Sequence, residues 1–444
     1  MTVARTICLG FLAVITVGTI LLMLPFSMSD GSWNNLVTAL FTATSAVCVT
    51  GLSVVDVGTY YSFWGQLFLL LMVQVGGLGY MTATTFLLLL LGRKFGLREK
   101  IAIQQSLDQP GLSGTVELIR SIIAMTLIFE LSGVFLLMLV FVPDYGFDRG
   151  LWLSIFHSVN SFNNAGFALF PDSFIQYVRS PSLNLIVSLL IILGGIGYEV
   201  IMEMYLWARD RISKNSVCVV FSLHFKIVIS TTVFLLILGT IFFFFTEFRN
   251  PGTFGPLTIP QKLMAAWFQS VTTRTAGFNT IDIGKMTNAA LFITIAFMFI
   301  GASPGSTGGG LKTTTMRVLF SCTKAVLQGK EEVLCYQRQI SVGLILKAVS
   351  VAVGSLMVVL SATTLIQLSD PGLDFIQALF EVVSGFATVG LSTGITASIS
   401  ILGKLVLIAI MYIGRVGVLL LMSAILGDPT PSVIRYPEEN LLVG

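Results

Sequence analysis

Four segments of this 444-residue chain carry a glycine within a strip rich in Thr, Ala and Val, and they recur at nearly equal intervals. They are FTATSAVCVTGLS (41–53), FHSVNSFNNAGFA (156–168), WFQSVTTRTAGFN (267–279) and FEVVSGFATVGLS (380–392). In each, an aromatic residue stands ten positions before the glycine: Phe41 and Gly51, Phe156 and Gly166, Trp267 and Gly277, Phe380 and Gly390. The glycines lie 115, 111 and 113 residues apart, so the chain reads as a fourfold internal repeat. One glycine in an apolar helix commonly serves tight packing. Four in register behind a matched aromatic point instead to a pore built in four parts from one polypeptide.

The chain is 55% hydrophobic and only 11% charged, against roughly 25% charged for soluble domains. Apolar stretches at 7–24, 63–91, 119–142, 183–207, 227–245, 290–327, 344–368 and 401–426 approach or exceed the ~20 residues that cross a bilayer as helix. The composition therefore gives an all-α polytopic membrane protein. The first stretch has only Arg5 ahead of it and no A-x-A cleavage site, so it reads as a retained helix. Five cysteines (Cys8, Cys48, Cys218, Cys322 and Cys335) are odd in number and lack metal-ligand spacing, which excludes a disulfide framework and a zinc site. The net charge of +3 matters less than its placement. Arg93, Lys94, Arg98 and Lys100 follow one hydrophobic pair, Arg209, Arg211, Lys214 and Lys226 the next, and Arg317, Lys324, Lys330, Arg338 and Lys347 the third. By the positive-inside rule these linkers and both termini are cytoplasmic. The localisation expected is a multi-pass bacterial plasma-membrane protein.

Each repeat reads as spanning helix, short re-entrant helix, glycine strip and spanning helix. The repeats fall at 1–96, 97–212, 213–330 and 331–444, giving eight spanning helices around a pseudo-fourfold pore. The re-entrant pieces, such as 33–47 and 374–388, are too short to span. Non-helical backbone at that depth survives only where it lines a watery cavity. A cation losing its water needs oxygens in exchange, and backbone carbonyls supply them. The candidate selectivity filter is therefore Val49-Thr50-Gly51, Asn164-Ala165-Gly166, Thr275-Ala276-Gly277 and Thr388-Val389-Gly390. The small or β-branched residues before each glycine favour extended backbone, and the glycine lets successive carbonyls turn inward. Asp56, Asp172 and Asp282 stand five or six positions past their glycines and read as an outer vestibule that concentrates cations. The fourth repeat has only Ser392, Thr393 and Thr396 there.

At these residues the chain resembles the Trk/Ktr/HKT superfamily of potassium and sodium transport proteins, most of all its Ktr-type potassium-translocating subunits. The resemblance covers essentially the whole length and rests on VTGLS (49–53), NNAGF (163–167), TRTAGFN (273–279) and ATVGL (387–391). Trk-type relatives carry two extra N-terminal helices, whereas this chain starts directly with the first repeat. The resemblance implies transported K+, with glycine at Gly51 favouring potassium over sodium, and leaves Na+ open as an activator. It further implies a homodimer with one pore per subunit, regulated by a separate cytosolic ring of the RCK (KTN) type that binds ATP and ADP. The basic linkers would be its docking surface. This chain has no phosphate-binding loop, so it binds no nucleotide itself, and no nucleic-acid partner is expected; its solvent is the lipid bilayer.

In the third repeat, Gly301-Ala-Ser303-Pro304-Gly305-Ser306-Thr307-Gly308-Gly309-Gly310-Leu-Lys312-Thr-Thr-Thr315 lies between apolar pieces of eleven and twelve residues, about half a bilayer each. Proline and five glycines there will not hold a regular helix, so the run reads as an intramembrane gate below the filter. The matching helix reads as unbroken in the other repeats. Those carry Gly76-Gly77-Leu78-Gly79, Gly194-Gly195-Ile196-Gly197 and Gly414-Arg415-Val416-Gly417. Burying a lone arginine mid-span costs ~2.5–3.5 kcal/mol, so Arg415 needs a partner or a cavity. It is expected to project beneath the filter as a barrier to cations, or to bond loop carbonyls and latch the gate shut. Lys312 is expected to snorkel toward the cytoplasm, and Glu130 to make an interhelical contact.

An intramembrane enzyme would need a convergent nucleophile, base or metal set. The chain has two histidines, His157 and His224, neither with a metal-spaced companion, and His157 reads as a packing or hydrogen-bonding residue. A sodium-selective or sodium-coupled carrier of the same fold is the remaining alternative.

Overall fold

The computed structural model describes residues 3–79, 115–213 and 220–427. Their helices repeat one unit four times. Long outer helices span Val3–Met23, Thr115–Tyr145, Leu223–Glu247 and Val342–Ser369. Short pore helices follow at Leu36–Val47, Phe147–Phe162, Ile259–Thr272 and Phe375–Phe386. Inner helices begin at Phe63, Pro181, Asn288 and Ile401.

Local chemistry sets these boundaries. Every inner helix starts on a hydroxyl N-cap: Ser62, Ser180, Thr287 and Ser400 each accept a hydrogen bond from the first helical turn. In three repeats the same cap is tied back to the end of its outer helix. Ser62 donates to Phe26 O; Thr287 donates to Glu247 through amide and hydroxyl at 2.9 and 2.7 Å; Ser400 does the same to Asp370 at 2.9 and 2.8 Å. Outer and inner helices are thereby stapled at one membrane face, and the pore helix is held between them.

The inner helices were expected to be unbroken outside the third repeat; they are not. The second and fourth bend by 103° and 93°, at Gly197 and Gly417. Those glycines take φ of +92° and +90°, and Gly79, which ends the first inner helix at Leu78, takes +77°. A Cβ in that conformation is strained, so the last glycine of the run makes the kink in the second and fourth repeats, and Gly79 takes the same conformation in the first. The third repeat differs by replacing a one-residue kink with a loop between Phe299 and Thr313.

The first glycine of each run does different work. A Cβ on Gly76, Gly194 or Gly414 would collide with the carbonyl of Val47, Phe162 or Phe386, the last residue of the pore helix in its own repeat. Bare backbone here lets inner and pore helices touch.

Among the described residues, four helices are long and apolar enough to cross a membrane, and up to six if each bent pair is one span. Of the other two of the expected eight, the first inner helix is described as far as Leu78 and the third is interrupted by the loop. Arg93, Lys94, Arg98, Lys100, Lys214 and Cys218 also lie outside the described residues. The first outer helix belongs to the bundle. Arg5 Nε donates to Ala424 O at 2.8 Å and Tyr412 Oη to Cys8 O at 2.8 Å, closing the fourth repeat onto the first.

Gly194→Ala should lower stability by about 1–3 kcal/mol through overpacking, read as a lower unfolding temperature of the detergent-purified protein. Gly372→Ala, with nothing within 4 Å of its added Cβ, should leave that temperature unchanged.

Candidate functional site: a glycine ring above an intramembrane loop

Each pore helix ends four or five residues short of its glycine, at Val47, Phe162, Thr272 and Phe386. In repeats one, two and four the chain then folds back on the helix. The amides of Thr50, Ala165 and Val389 donate to the carbonyls of Ser45, Asn160 and Ser384 at 2.7–2.8 Å. Such a turn needs a left-handed residue just after the helix, a place glycine usually takes. Here Val49, Asn164, Thr275 and Thr388 occupy it, with φ of +57°, +59°, +67° and +53°. The expectation of extended backbone is therefore wrong at these four positions. Three of them are β-branched, for which the left-handed region is a true outlier, costing about 1–2 kcal/mol apiece.

The four glycines meet around one axis. A Cβ on Gly51 would lie 2.9 Å from Gly166 Cα, one on Gly166 2.9 Å from Gly277 Cα, one on Gly277 3.2 Å from Gly390 Cα, and one on Gly390 3.1 Å from Gly51 Cα. The order 51–166–277–390 closes on itself, and the strands touch backbone to backbone. All four glycines also take positive φ, between +69° and +90°. The pore-helix C-termini converge on the same place, bringing partial negative charge with them.

Outside the ring is a cavity of about 710 Å³ lined by all four glycines and by Asp56, Asp172 and Asp282. Two of these carboxylates also hold turns: Asp56 accepts from Gly58 N and Thr59 Oγ1, and Asp282 from Gly284 N. Asp282 pairs with Lys285 at 2.9 Å, and its hydrogen bond and charge raise the lysine's pKa. Lys285 and Arg179 line the cavity too, offsetting part of its negative charge.

On the other side of the ring lies the 301–312 loop. Its ends pair through Gly301 N and Leu311 O at 2.9 Å, and Ser303, Thr307 and Thr313 are fully buried, unlike a linker in water. Ser303 and Thr307 donate their amides to Gly195 O and Gly194 O, and Tyr198 N donates to Gly305 O at 3.1 Å, seating the loop in the second repeat's kink. Gly309 N donates to Thr388 Oγ1 at 3.0 Å, and a Cβ on Gly308 would strike Thr275. The loop thus packs against the left-handed threonines of the third and fourth strands. Arg415, half-buried, donates to Thr307 O in the loop and to Gly76 O in the first repeat. Lys312 does not snorkel as expected: its Nζ donates to Gly308 O at 2.7 Å, stitching the loop to itself. Glu130 makes the expected interhelical contact, accepting from Asn163 at 2.9 Å and Gln74 at 3.2 Å.

The family profile described as TrkH, cation transport protein, matches residues 6–429. The chain belongs to that family. It is 39% identical over 441 residues to the Ktr system potassium uptake protein B of Bacillus subtilis (strain 168), covering 99% of this chain and 96% of the relative. It is 37% identical over 448 residues to the potassium/sodium uptake protein NtpJ of Enterococcus hirae, covering 99% and 97%. The crystal structure of the potassium transporter TrkH from Vibrio parahaemolyticus matches with a TM-score of 0.71 at 19% identity, over 95% of this chain and 85% of that one, a likeness of fold.

Three buried charges of this TrkH-family chain do not figure in the sequence analysis, among them Glu247, which holds Thr287 at the end of the third outer helix. Arg274, three positions before Gly277, is 7% exposed and its Nε has no hydrogen-bond partner among the described residues. Glu381, nine positions before Gly390, is fully buried and accepts from Ser392, Thr393 and Thr396. Its position relative to the glycine was the available signal. His157 holds the same place in the second repeat and accepts from Leu169 N through Nε2 at 3.3 Å.

Thr388→Val removes the acceptor of the buried Gly309 amide while keeping side-chain shape, which should loosen the loop by about 1–3 kcal/mol. A water-soluble maleimide should then label Ser306→Cys faster in a cysteine-free background than it does with Thr388 intact.

Proposed function

We propose that this chain carries potassium across a bacterial plasma membrane through the ring at Gly51, Gly166, Gly277 and Gly390, with the carbonyls of the residues before each glycine replacing the ion's water. The observation that carries the reading is the closed order of backbone-to-backbone contacts among four glycines of positive φ. It draws support from two relatives whose names give potassium uptake as their activity. The vestibule carboxylates Asp56, Asp172 and Asp282 gather cations at the mouth. The repeats divide the chain at 1–96, 97–212, 213–330 and 331–444, with both termini cytoplasmic. A sodium-coupled or sodium-activated variant is the second reading, favoured by the 37%-identical relative named a potassium/sodium uptake protein.

The test is cation uptake into vesicles holding this subunit, with K+, Rb+ and Na+ compared. The wild-type protein should prefer K+ and Rb+. Gly51→Ser forces a side chain into positive φ against the second strand, and should lower the K+/Na+ preference about tenfold, the equivalent of ~1.4 kcal/mol. A folded serine variant with wild-type preference would refute the filter assignment.

In this reading the 301–315 loop and Arg415 form the gate. A guanidinium held between Thr307 O and Gly76 O places a fixed positive charge and a steric latch beneath the ring. The gate answers to a cytosolic RCK-type ring that binds ATP or ADP and docks on the basic linkers of a homodimer, as the family resemblance implies. Arg415→Ala should raise uptake by the subunit alone about tenfold or more, because a unit charge near a permeating ion is worth at least ~1.4 kcal/mol at low effective dielectric. Unchanged uptake by a folded Arg415→Ala protein would exclude the barrier role.

A further inference from the structure

A second cavity lies away from the glycine ring, at the opposite end of the helix that leaves the intramembrane loop. That helix, Thr313–Leu327, has 15 residues and so runs about 22 Å. From a loop at mid-membrane this carries its last turns past the remaining half-bilayer of about 15 Å. The chain then turns at Gly329 (φ +65°) and forms a short antiparallel hairpin, Leu334–Cys335 with Arg338–Gln339, before the fourth outer helix begins at Val342. Val333, Cys335 and Ile340 pack the hairpin against Ala325 of the helix and Ile227 of the third outer helix. Between helix and hairpin is a cavity of about 330 Å³, at the small end of the roughly 300–1,000 Å³ usual for ligand sites.

Its wall is cationic. Arg317, Ser321, Lys324 and Gln328 recur every three or four residues, one above another along a single face. Lys330 joins them from the turn, and Glu332 is the one carboxylate among the described lining residues. Three positive charges thus face one negative. Among the described residues none of the three cations takes part in an ion pair, and the buried Nε of Arg317 has no hydrogen-bond partner. Basic side chains near a helix C-terminus often serve its last carbonyls. Amides do that here: Gln328 N, Gly329 N and Lys330 N donate to Lys324 O, Val326 O and Ala325 O at 3.1, 3.0 and 2.9 Å. The hairpin turn puts Tyr336 on the cavity wall at φ +49°, a costly conformation for a residue with a Cβ. Its ring centre lies 5.9 Å from the Arg317 guanidinium carbon, a contact that orients the cation without using its N–H groups.

We propose that this cavity binds the phosphodiester headgroup of an anionic phospholipid, with Arg317, Lys324 and Lys330 meeting the phosphate and an apolar rim meeting the acyl chains. Arginine offers phosphate a planar fork of donors, and lysine a mobile point charge. The rim decides for lipid over a soluble anion. Phe320, Leu334 and Tyr336 line the cavity and are 59%, 53% and 45% exposed. Leu327, Val342, Leu344 and Leu346, in the flanking helices, are exposed as well. A soluble phosphate has no use for apolar surface turned outward at headgroup depth, whereas a basic pocket at the end of a membrane helix suits an anionic headgroup whose chains lie alongside. The site is independent of the ion path and of the ion carried. Its helix begins at Thr313, whose amide donates to Ala302 O and whose hydroxyl bonds Ser303 Oγ, so the lipid anchors the far end of the element that carries the loop.

Native mass spectrometry of the full-length, detergent-purified protein reads the binding directly, in titrations with dioleoyl phosphatidylglycerol, dioleoyl phosphatidylcholine, inorganic phosphate and glycerol 3-phosphate. Phosphatidylglycerol should bind at least about tenfold tighter than zwitterionic phosphatidylcholine, and neither soluble phosphate should displace it at equal concentration. Lys324→Gln and Lys330→Gln should each weaken phosphatidylglycerol binding about fivefold, and Arg317→Gln at least as much. Arg120→Gln removes an exposed cation near the start of the second outer helix, at the membrane face where the outer helices begin, and should leave binding unchanged. Both lysines are exposed, so their variants keep the fold even if Arg317→Gln does not. Equal affinity for the two lipids overturns the inference. So does a loss of affinity in folded Lys324→Gln and Lys330→Gln proteins no greater than in Arg120→Gln, because the attraction is then general surface charge. Displacement by glycerol 3-phosphate at equal concentration overturns it too, since the cavity then serves a soluble phosphate.

Discussion

The absence of four Cβ atoms is the constraint on which the rest of the molecule depends. Where Gly51, Gly166, Gly277 and Gly390 meet, each strand lies so close to the next that a single methyl group would displace neighbouring backbone. Close backbone approach alone does not aim carbonyls. That comes from the residue two positions earlier, which the pore helix forces into the left-handed region as its chain doubles back on the helix end. Val, Thr and Thr are poor choices for that conformation, and the two threonines put their side chains to use. Thr388 Oγ1 accepts the loop's Gly309 amide, and Thr275 packs on Gly308. Backbone strain at the ring and contact with the loop beneath it are two consequences of the same residues.

The loop turns fourfold architecture into something asymmetric. The second and fourth inner helices bend at a single glycine, with φ of +92° and +90°. The third spends thirteen residues, 300–312, on the same break, and the excess backbone must find partners away from water. It finds them in every repeat: Gly194 and Gly195 in the second, Thr275 in the third, Thr388 and Arg415 in the fourth, and Gly76 of the first through the same arginine. Arg415 occupies the site where the first repeat has Gly77, packed against Asn163, and the second has Gly195. Taking a guanidinium partly out of water is costly; two carbonyls from different repeats offset that cost and tie the loop to the first repeat.

Much of this was legible in the sequence, and what was not has a physical reason. The glycine ring could be read because spacing and matched aromatics repeat over more than a hundred residues. The left-handed residues could not, because valine and threonine propensities speak for extended chain and tertiary contacts override them. The kinks at Gly197 and Gly417 were hidden inside apolar stretches, since hydropathy counts side chains and is blind to a change in φ. Lys312 was misplaced because snorkelling assumes a helix leading to the interface, whereas the loop folds back and offers Gly308 O at 2.7 Å. Glu381 lacks the mark of the other acids because it lies nine residues before its glycine, on the pore helix, whereas Asp56, Asp172 and Asp282 lie after theirs.

Charge at the mouth departs from the fourfold pattern of the backbone. Three repeats place their acids on the cavity wall, and there Lys285 and Arg179 offset part of the charge. The fourth repeat places Ser392 and Thr393 on that wall instead, and both bond Glu381 behind them. An exposed carboxylate at a wide mouth is screened by salt within about 8–10 Å. His157 and Glu381 brace their strands in the second and fourth repeats, opposite one another around the ring. The third strand is braced as well, closer to the ring, where Thr272 at the end of the pore helix donates to Phe278 O at 2.6 Å, and Phe174 N ties the second strand to it through Asn279 O at 2.9 Å.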